Sequence, residues 1–297
     1  MTEPTADALC PTLHRFDGPG GLPMIDIRNA HATARVSLYG AQVLAFQPRG
    51  ERDLLFLSER AVYQPGKAIR GGVPVCWPWF GPDPQGLGRP AHGLARTRQW
   101  QLRGSGILPD GQTRLTLGLR DDDQTRALWP HAFDLSLDIT VGRTLHLALC
   151  TRNTGSTPMT LTQALHSYFA VADIHQTRVE GLDGCTYTDK ARGAGGAQRL
   201  QAGPVHFSGE VDRVYARVPA DLRIDDGAGQ RTVRVRAEGS QTAVVWNPGP
   251  DISAGMADLD DDAWRRFVCV ETANAGEEVI HLAPGAQHTL LAEIGPG

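Results

Sequence analysis

Apolar and polar residues alternate along several stretches of the chain: Leu115, Leu117 and Leu119; Leu135, Leu137, Ile139 and Val141; Leu145, Leu147 and Leu149. A period of two sends successive side chains to opposite faces of an extended backbone, so each run predicts a strand with one buried face. The last two runs flank Gly142-Arg143-Thr144, a connection short enough for a hairpin. Further strands are predicted over 34–46, 160–170, 231–237, 242–247, 266–273 and 288–294. Helical periodicity is weak, and only 123–131 and 258–266 admit a short helix or turn. With 34 Gly and 20 Pro punctuating the pattern, the expectation is an all-β fold, a large antiparallel β-sandwich with a few short helices. There is no internal repeat and no linker-like break, and the Gly-rich ARGAGGAQ stretch at 191–198 is short enough to be one loop.

Composition narrows the function classes more than the fold. With 41% hydrophobic and 21% charged residues among 297, the chain can bury a substantial core. The net charge of −4 comes from 29 basic and 33 acidic residues with no basic block, which argues against nucleic acid as a partner. Five widely spaced cysteines, Cys10, Cys76, Cys150, Cys185 and Cys269, include no C-x-x-C pair and read as reduced thiols of a cytoplasmic protein. MTEPTADALCPTLHRF lacks the apolar centre of a signal peptide, and no later run is long enough to span a membrane. No membrane association is expected.

Candidate chemistry concentrates in a few motifs. In LTQALHSYFA at 161–170, alternation places Leu161, Leu165 and Phe169 on one face and Thr162, Ala164, His166 and Tyr168 on the other. His166 is either a satisfied structural histidine or a proton-transfer group. Glu271 ends the apolar run in RRFVCVETAN, where burial would lift its pKa toward that of a useful base; it could equally emerge into solvent. KAIRGGVPVCWPWFGP sets Arg70 before a Gly pair that could admit a ligand close to the backbone, and before Trp77, Trp79 and Phe80, which could line a sugar pocket. AHGLARTRQW adds His92 and Arg96, and arginine's planar fork suits phosphate oxygens. Asp212 in SGEVDRVYA could accept sugar hydroxyls, hold an arginine, or pair with Arg213. The acidic DLDDD run at 258–262 lacks the spacing and Gly of a calcium loop and reads as a solvated helix start. No G-x-S-x-G, Walker A, H-E-x-x-H or dinucleotide-binding pattern is present. No metal site or cofactor is expected.

Taken in order, GAQV (40–43), IRGGVPVCWPWFG (69–81), HGLAR (92–96), ALHSYF (164–169), EVDRVY (210–215), VVWNP (244–248) and FVCVE (267–271) resemble the glucose-6-phosphate 1-epimerases, or hexose-6-phosphate mutarotases. The resemblance implies a galactose-mutarotase-like sandwich over 25–297, with 1–24 an N-terminal extension of the same domain, and a monomer acting on a small-molecule sugar phosphate. It implies a catalytic acid at His166 and base at Glu271, and substrate contacts at Arg70, His92, Arg96 and Asp212. The chain departs from the pattern in NPGPDISAGM, where Gly249 and Ser253 stand in a neighbourhood that often holds an aromatic residue and a lysine. It departs again at Ala91, where some members carry glutamine. The alternatives from other classes are an aldose 1-epimerase for unphosphorylated sugars, a non-catalytic carbohydrate-binding protein, and a glycosidase, for which no second carboxylate is as well placed as Glu271.

Overall fold

A computed structural model describes residues 10–297. Of the 1–24 extension, residues 1–9 lie outside the described residues, while Leu13–Asp17 pairs antiparallel with Pro23–Arg28. That hairpin continues through Ala32–Ser37 and Gln42–Pro48 into a four-stranded meander. The strand expected over 34–46 is therefore two strands. Gly40 and Ala41, both in the left-handed region at φ 76° and 49°, turn the chain between them.

Two large sheets dominate. The nine-stranded one runs Val205–His206, Thr177–Glu180, Asp221–Asp226, Arg231–Glu238, Gln287–Pro296, Leu145–Asn153, Phe133–Val141, Thr113–Arg120 and Gln101–Ile107 from edge to edge. The eight-stranded one runs Gln198–Leu200, Thr186–Asp189, Val211–Ala216, Thr242–Asn247, Phe267–Asn274, Gln163–Leu165 and Val75–Cys76, with Tyr168–Ala170 also on Phe267–Asn274. The alternating leucines do what their period predicts. Phe133–Val141 and Leu145–Asn153 form the hairpin, Val141 opposite Leu145. Leu115, Leu137, Ile139, Leu147 and Leu149 are fully buried in one cluster with Val75, Leu165, Phe169, Val245, Val268 and Val270 of the other sheet. The fold is thus an antiparallel β-sandwich whose main core lies between the two sheets.

Helix is scarce. The 123–131 stretch yields Asp123–Leu128, capped by a reciprocal Asp122 and Thr125 box. The 258–266 stretch yields only the 3₁₀ turn Ala263–Arg266. No helix among the described residues is long and apolar enough to cross a membrane.

Candidate active site

The outward face of the eight-stranded sheet carries the site. In Phe267–Asn274 every residue is buried, because alternate residues serve different interiors. Val268 and Val270 enter the sandwich core, while Cys269 and Glu271 point the other way. The 160–170 segment is not one strand: it divides into Met159–Leu161, Gln163–Leu165 and Tyr168–Ala170. Its register nevertheless carries across the break. Leu165 faces Thr272 and Tyr168 faces Cys269, which sets His166 across from Glu271. On the other side Glu271 faces Val244, and Asp212 faces Trp246. The floor of the site is therefore two neighbouring rows of cross-strand residues.

A cavity of about 740 Å³ lies over this floor, lined among others by Arg70, Phe80, His92, Arg96, His166, Tyr168, Asp212, Trp246 and Glu271. All six residues singled out from the sequence line it. His166 Nε2 lies 3.3 Å from Glu271 Oε1. His166 Nδ1 and Glu271 Oε2 are buried without a hydrogen-bond partner. Burial pushes the His166 imidazole well below its ordinary value, and His92, Arg96 and Arg70 push it the same way. Burial raises the Glu271 carboxyl well above the usual range, with Asp212 adding to the rise and Arg96 opposing it. The un-ionised form of each is thus favoured, and the pair holds one proton that can pass across the short contact.

His92 adopts left-handed backbone at φ 62°. Its Nδ1 accepts from the Gly81 N–H at 3.3 Å, so the other nitrogen carries the proton. Burial, with Arg96 and Arg70 nearby, lowers its pKa to about 3 and keeps it neutral. Asp212 does not pair with Arg213. Neighbours in a strand face opposite ways, and Arg213 instead donates to Gln201 Oε1 and lies over the Tyr187 ring. Burial raises Asp212 to about 6, with Glu210 adding to the shift and Lys190 opposing it.

Several sequence expectations change. Trp77 and Trp79 are core residues rather than a sugar platform, and Trp77 Nε1 donates to Thr151. Phe80 alone of that cluster lines the cavity, and the indole there is Trp246. The Gly pair admits backbone, not ligand. At Gly71 (φ 111°) a Cβ would meet Phe56 O at 2.5 Å, and at Gly72 (φ 60°) Val43 O at 2.2 Å. Buried Gln42 of GAQV holds this loop through the Ile69 and Gly71 carbonyls at 3.1 and 2.6 Å. The DLDDD run is not merely solvated, since Asp258 Oδ2 accepts from Arg70 Nε and pairs with Nη2 at 3.2 and 3.1 Å. Arg70 Nη1 donates to the Tyr168 hydroxyl at 2.9 Å. Arg70 is therefore largely engaged, leaving one N–H on each terminal nitrogen. Arg96 has no carboxylate partner among the described residues and donates from Nη2 to Ala91 O at 2.9 Å. Gly249 and Ser253 do not line the cavity. Asn247 anchors their segment, donating to Trp264 O and Phe267 O and accepting from Gly249 N–H.

Sequence reasoning missed Tyr168, Trp246, Asp258, Lys67 and Lys190, all in the lining. The alternation already set Tyr168 on the His166 face without giving it a role, and Trp246 could have been found by following the alternation from Val244. The lysines and Asp258 sit on loops whose destination no period encodes. Among the described residues no three His, Cys, Asp or Glu gather as a metal site.

Comparison with known proteins agrees with this geometry. The family model for aldose 1-epimerase matches residues 23–294. A protein of Escherichia coli (strain K12), provisionally named glucose-6-phosphate 1-epimerase, is 40% identical over 256 residues, covering 86% of this chain and 84% of its own length. One of the same provisional name from Cenchrus ciliaris is 36% identical over 280 residues, covering 91% and 83%. The crystal structure of a provisionally assigned mutarotase from Salmonella typhimurium superposes with a TM-score of 0.90 at 35% identity, covering 99% of this chain and 96% of that one. A sandwich with one buried histidine–glutamate pair in a sugar-sized cavity, matched over nearly its whole length, belongs to the aldose 1-epimerase family of isomerases.

Proposed function

We propose that this chain interconverts the α and β anomers of a hexose 6-phosphate, glucose 6-phosphate foremost. The observation that carries the chemistry is the 3.3 Å contact between His166 and Glu271, two buried side chains that line the cavity and whose Nδ1 and Oε2 have no partner. Buried polar atoms are nearly always satisfied, and a cyclic hemiacetal satisfies both. Its anomeric O1–H donates to one group while its ring oxygen accepts from the other. Glu271 takes the O1 proton as the ring C–O bond breaks to give the aldehyde, and His166 supplies the proton to the ring oxygen. Rotation about C1–C2 presents the other carbonyl face, and the two transfers reverse. An imidazolium at the start would let His166 act as the acid directly. Burial favours a neutral pair instead, so the proton crosses from Glu271 to His166 only as the substrate engages. Each transfer group typically contributes ~10²–10⁴-fold.

The relatives named glucose-6-phosphate 1-epimerases support the phosphate. The cavity offers it Arg96, Lys67 and the free N–H groups of Arg70. Neutral His92 and the Asp212 carboxylate contact hydroxyls. The Arg70–Asp258 ion pair favours a second reading, an unphosphorylated aldose, because it cancels one of the cavity's positive charges. NMR exchange between anomers of glucose 6-phosphate and of glucose decides. The expected result is faster catalysed exchange for the phosphate, and a preference for free glucose would overturn the phosphate reading.

A further inference from the structure

His166 is held in an unusual way. An imidazole that moves protons is ordinarily oriented by a third group hydrogen-bonded to its far nitrogen. Here Nδ1 has no partner, and the 3.3 Å contact to Glu271 is the ring's one side-chain polar contact among the described residues. The torsion that spins such a ring is broad and roughly two-fold. What restricts it is aromatic packing: Tyr168 lies parallel to His166, centroids 4.9 Å apart at 13°. Trp246 stands edge-on to His166 at 6.0 Å and to Tyr168 at 6.1 Å. Tyr168 is itself backed by Phe267 at 5.3 Å. Its hydroxyl accepts from Arg70, Arg70 is gripped by Asp258, and the Asp258 carbonyl accepts from Ser58 Oγ at 2.8 Å.

We propose that Asp258, Arg70 and Tyr168 form a positioning chain for the proton-transfer step, in which Tyr168 fixes the plane of the His166 imidazole and Arg70 and Asp258 fix Tyr168. The chain explains why a cavity built for an anion spends a carboxylate on one of its arginines. An unpaired Arg70 would be free to swing away and release the tyrosine. Misplacing a reacting group by about 1 Å can cost on the order of 10²-fold in rate, so restraint of one ring has a large return. Tyr168 and Asp258 are positioning residues on this account, acting on rate through His166.

The proposal rests on the anomerase reading, so its test has one arm that needs no turnover. In the full chain, Tyr168→Leu is expected to lower kcat roughly 10–100-fold and Asp258→Asn roughly 3–10-fold, with KM for glucose 6-phosphate changed less than about threefold. Asp258→Glu should restore part of the loss, and Tyr168→Phe, which keeps the ring and loses the hydroxyl, should fall between wild type and Tyr168→Leu. In the substrate-free protein, NMR relaxation of the His166 ring carbons should show a rigid ring in wild type and a mobile one in Tyr168→Leu and Asp258→Asn. A ring equally rigid in all variants overturns the proposal even if the wild type is an active anomerase. So does a loss confined to KM, which would make these residues substrate contacts. Rigid-to-mobile behaviour in a protein that does not anomerise sugar phosphates would support the positioning chain and count against the activity alone. Should Tyr168→Leu lose its near-ultraviolet circular dichroism, Tyr168→Phe and Asp258→Asn decide.

Discussion

The two faces of the eight-stranded sheet are both buried, but for different reasons. On the inner face Val245, Val268, Val270, Leu165 and Phe169 join leucines of the opposite sheet in one apolar cluster, and the unpartnered polar atom there, the amide oxygen Gln163 Oε1, is not ionisable. On the outer face the same strands present His166, Tyr168, Trp246, Cys269 and Glu271, some of them ionisable and nearly water-free. An unsatisfied buried polar group costs roughly 1–3 kcal/mol. The outer face carries two of them at its centre, His166 Nδ1 and Glu271 Oε2. The inner face is arranged for stability, and in the proposed mechanism the outer one gives some of it up to keep a proton-carrying pair ready. Residues one step apart in sequence therefore answer to different demands.

Substitution should separate the faces cleanly. His166→Ala and Glu271→Gln are each expected to lower anomer exchange by ~10²–10⁴-fold, with the loss of rate far exceeding any loss of stability, because neither side chain belongs to the inner core. Leu137→Ala, at a fully packed inner position, is expected to cost ~2–5 kcal/mol in urea unfolding while leaving kcat of the folded protein nearly unchanged. A near-normal rate in either outer-face variant would break the acid/base assignment. A rate loss in Leu137→Ala matching its stability loss would erase the distinction between the faces.

The inner face was far more legible in the sequence than the outer. Leu135, Leu137, Ile139 and Val141 declare a strand by period alone, and their burial follows from it. FVCVETAN shows no period because both of its faces are interior, so its residues read only as apolar with a trailing acid. The pairing of His166 with Glu271 depends on a register between segments a hundred residues apart, which local pattern does not encode. Motif resemblance supplied what periodicity could not, bringing all six proposed site residues to one cavity. The local reading of residue types misled in places. The IRGG glycines and the indoles Trp77 and Trp79 belong to close packing of the scaffold. Asp258 looked like surface charge because nothing local connects it to Arg70, 188 residues away.

The outer face is itself divided, with the proton pair over one row and cations toward the rim. Arg96 is the sharper test of the cationic part, since Arg70 also holds Tyr168. A charge-assisted hydrogen bond is worth ~1.5–3 kcal/mol, so Arg96→Ala should lower kcat/KM for glucose 6-phosphate roughly ten- to a hundredfold. Exchange of free glucose should barely change, having no phosphate to lose. Equal losses on both sugars would make Arg96 a structural or electrostatic support of Glu271 and His92 instead of a phosphate ligand.

The smallest expected effect is a matter of where the rate does not change. His166 has its pKa lowered by burial and by His92, Arg96 and Arg70, so as pH falls it gains a second-proton form of the pair only well below the ordinary imidazole value near 6.5. Glu271 has its pKa raised by burial and by Asp212, so as pH rises the pair keeps its single proton well above the ordinary carboxylate range. Both shifts widen the window in which the pair holds the one proton that the proposed mechanism needs. The plot of kcat/KM against pH should therefore run flat through 6.5, with its acid limb displaced downward, once the ionisation of the substrate phosphate near pH 6 is separated by repeating the profile with free glucose and that of Asp212 at about 6 by repeating it with Asp212→Asn. A solvent-exposed acid would give a limb centred near 6.5 in both profiles. Asp212→Asn removes a negative charge that helps raise Glu271, so it should draw the basic limb toward lower pH, whereas no movement of either limb would show that the pair's protonation is not set by the buried face.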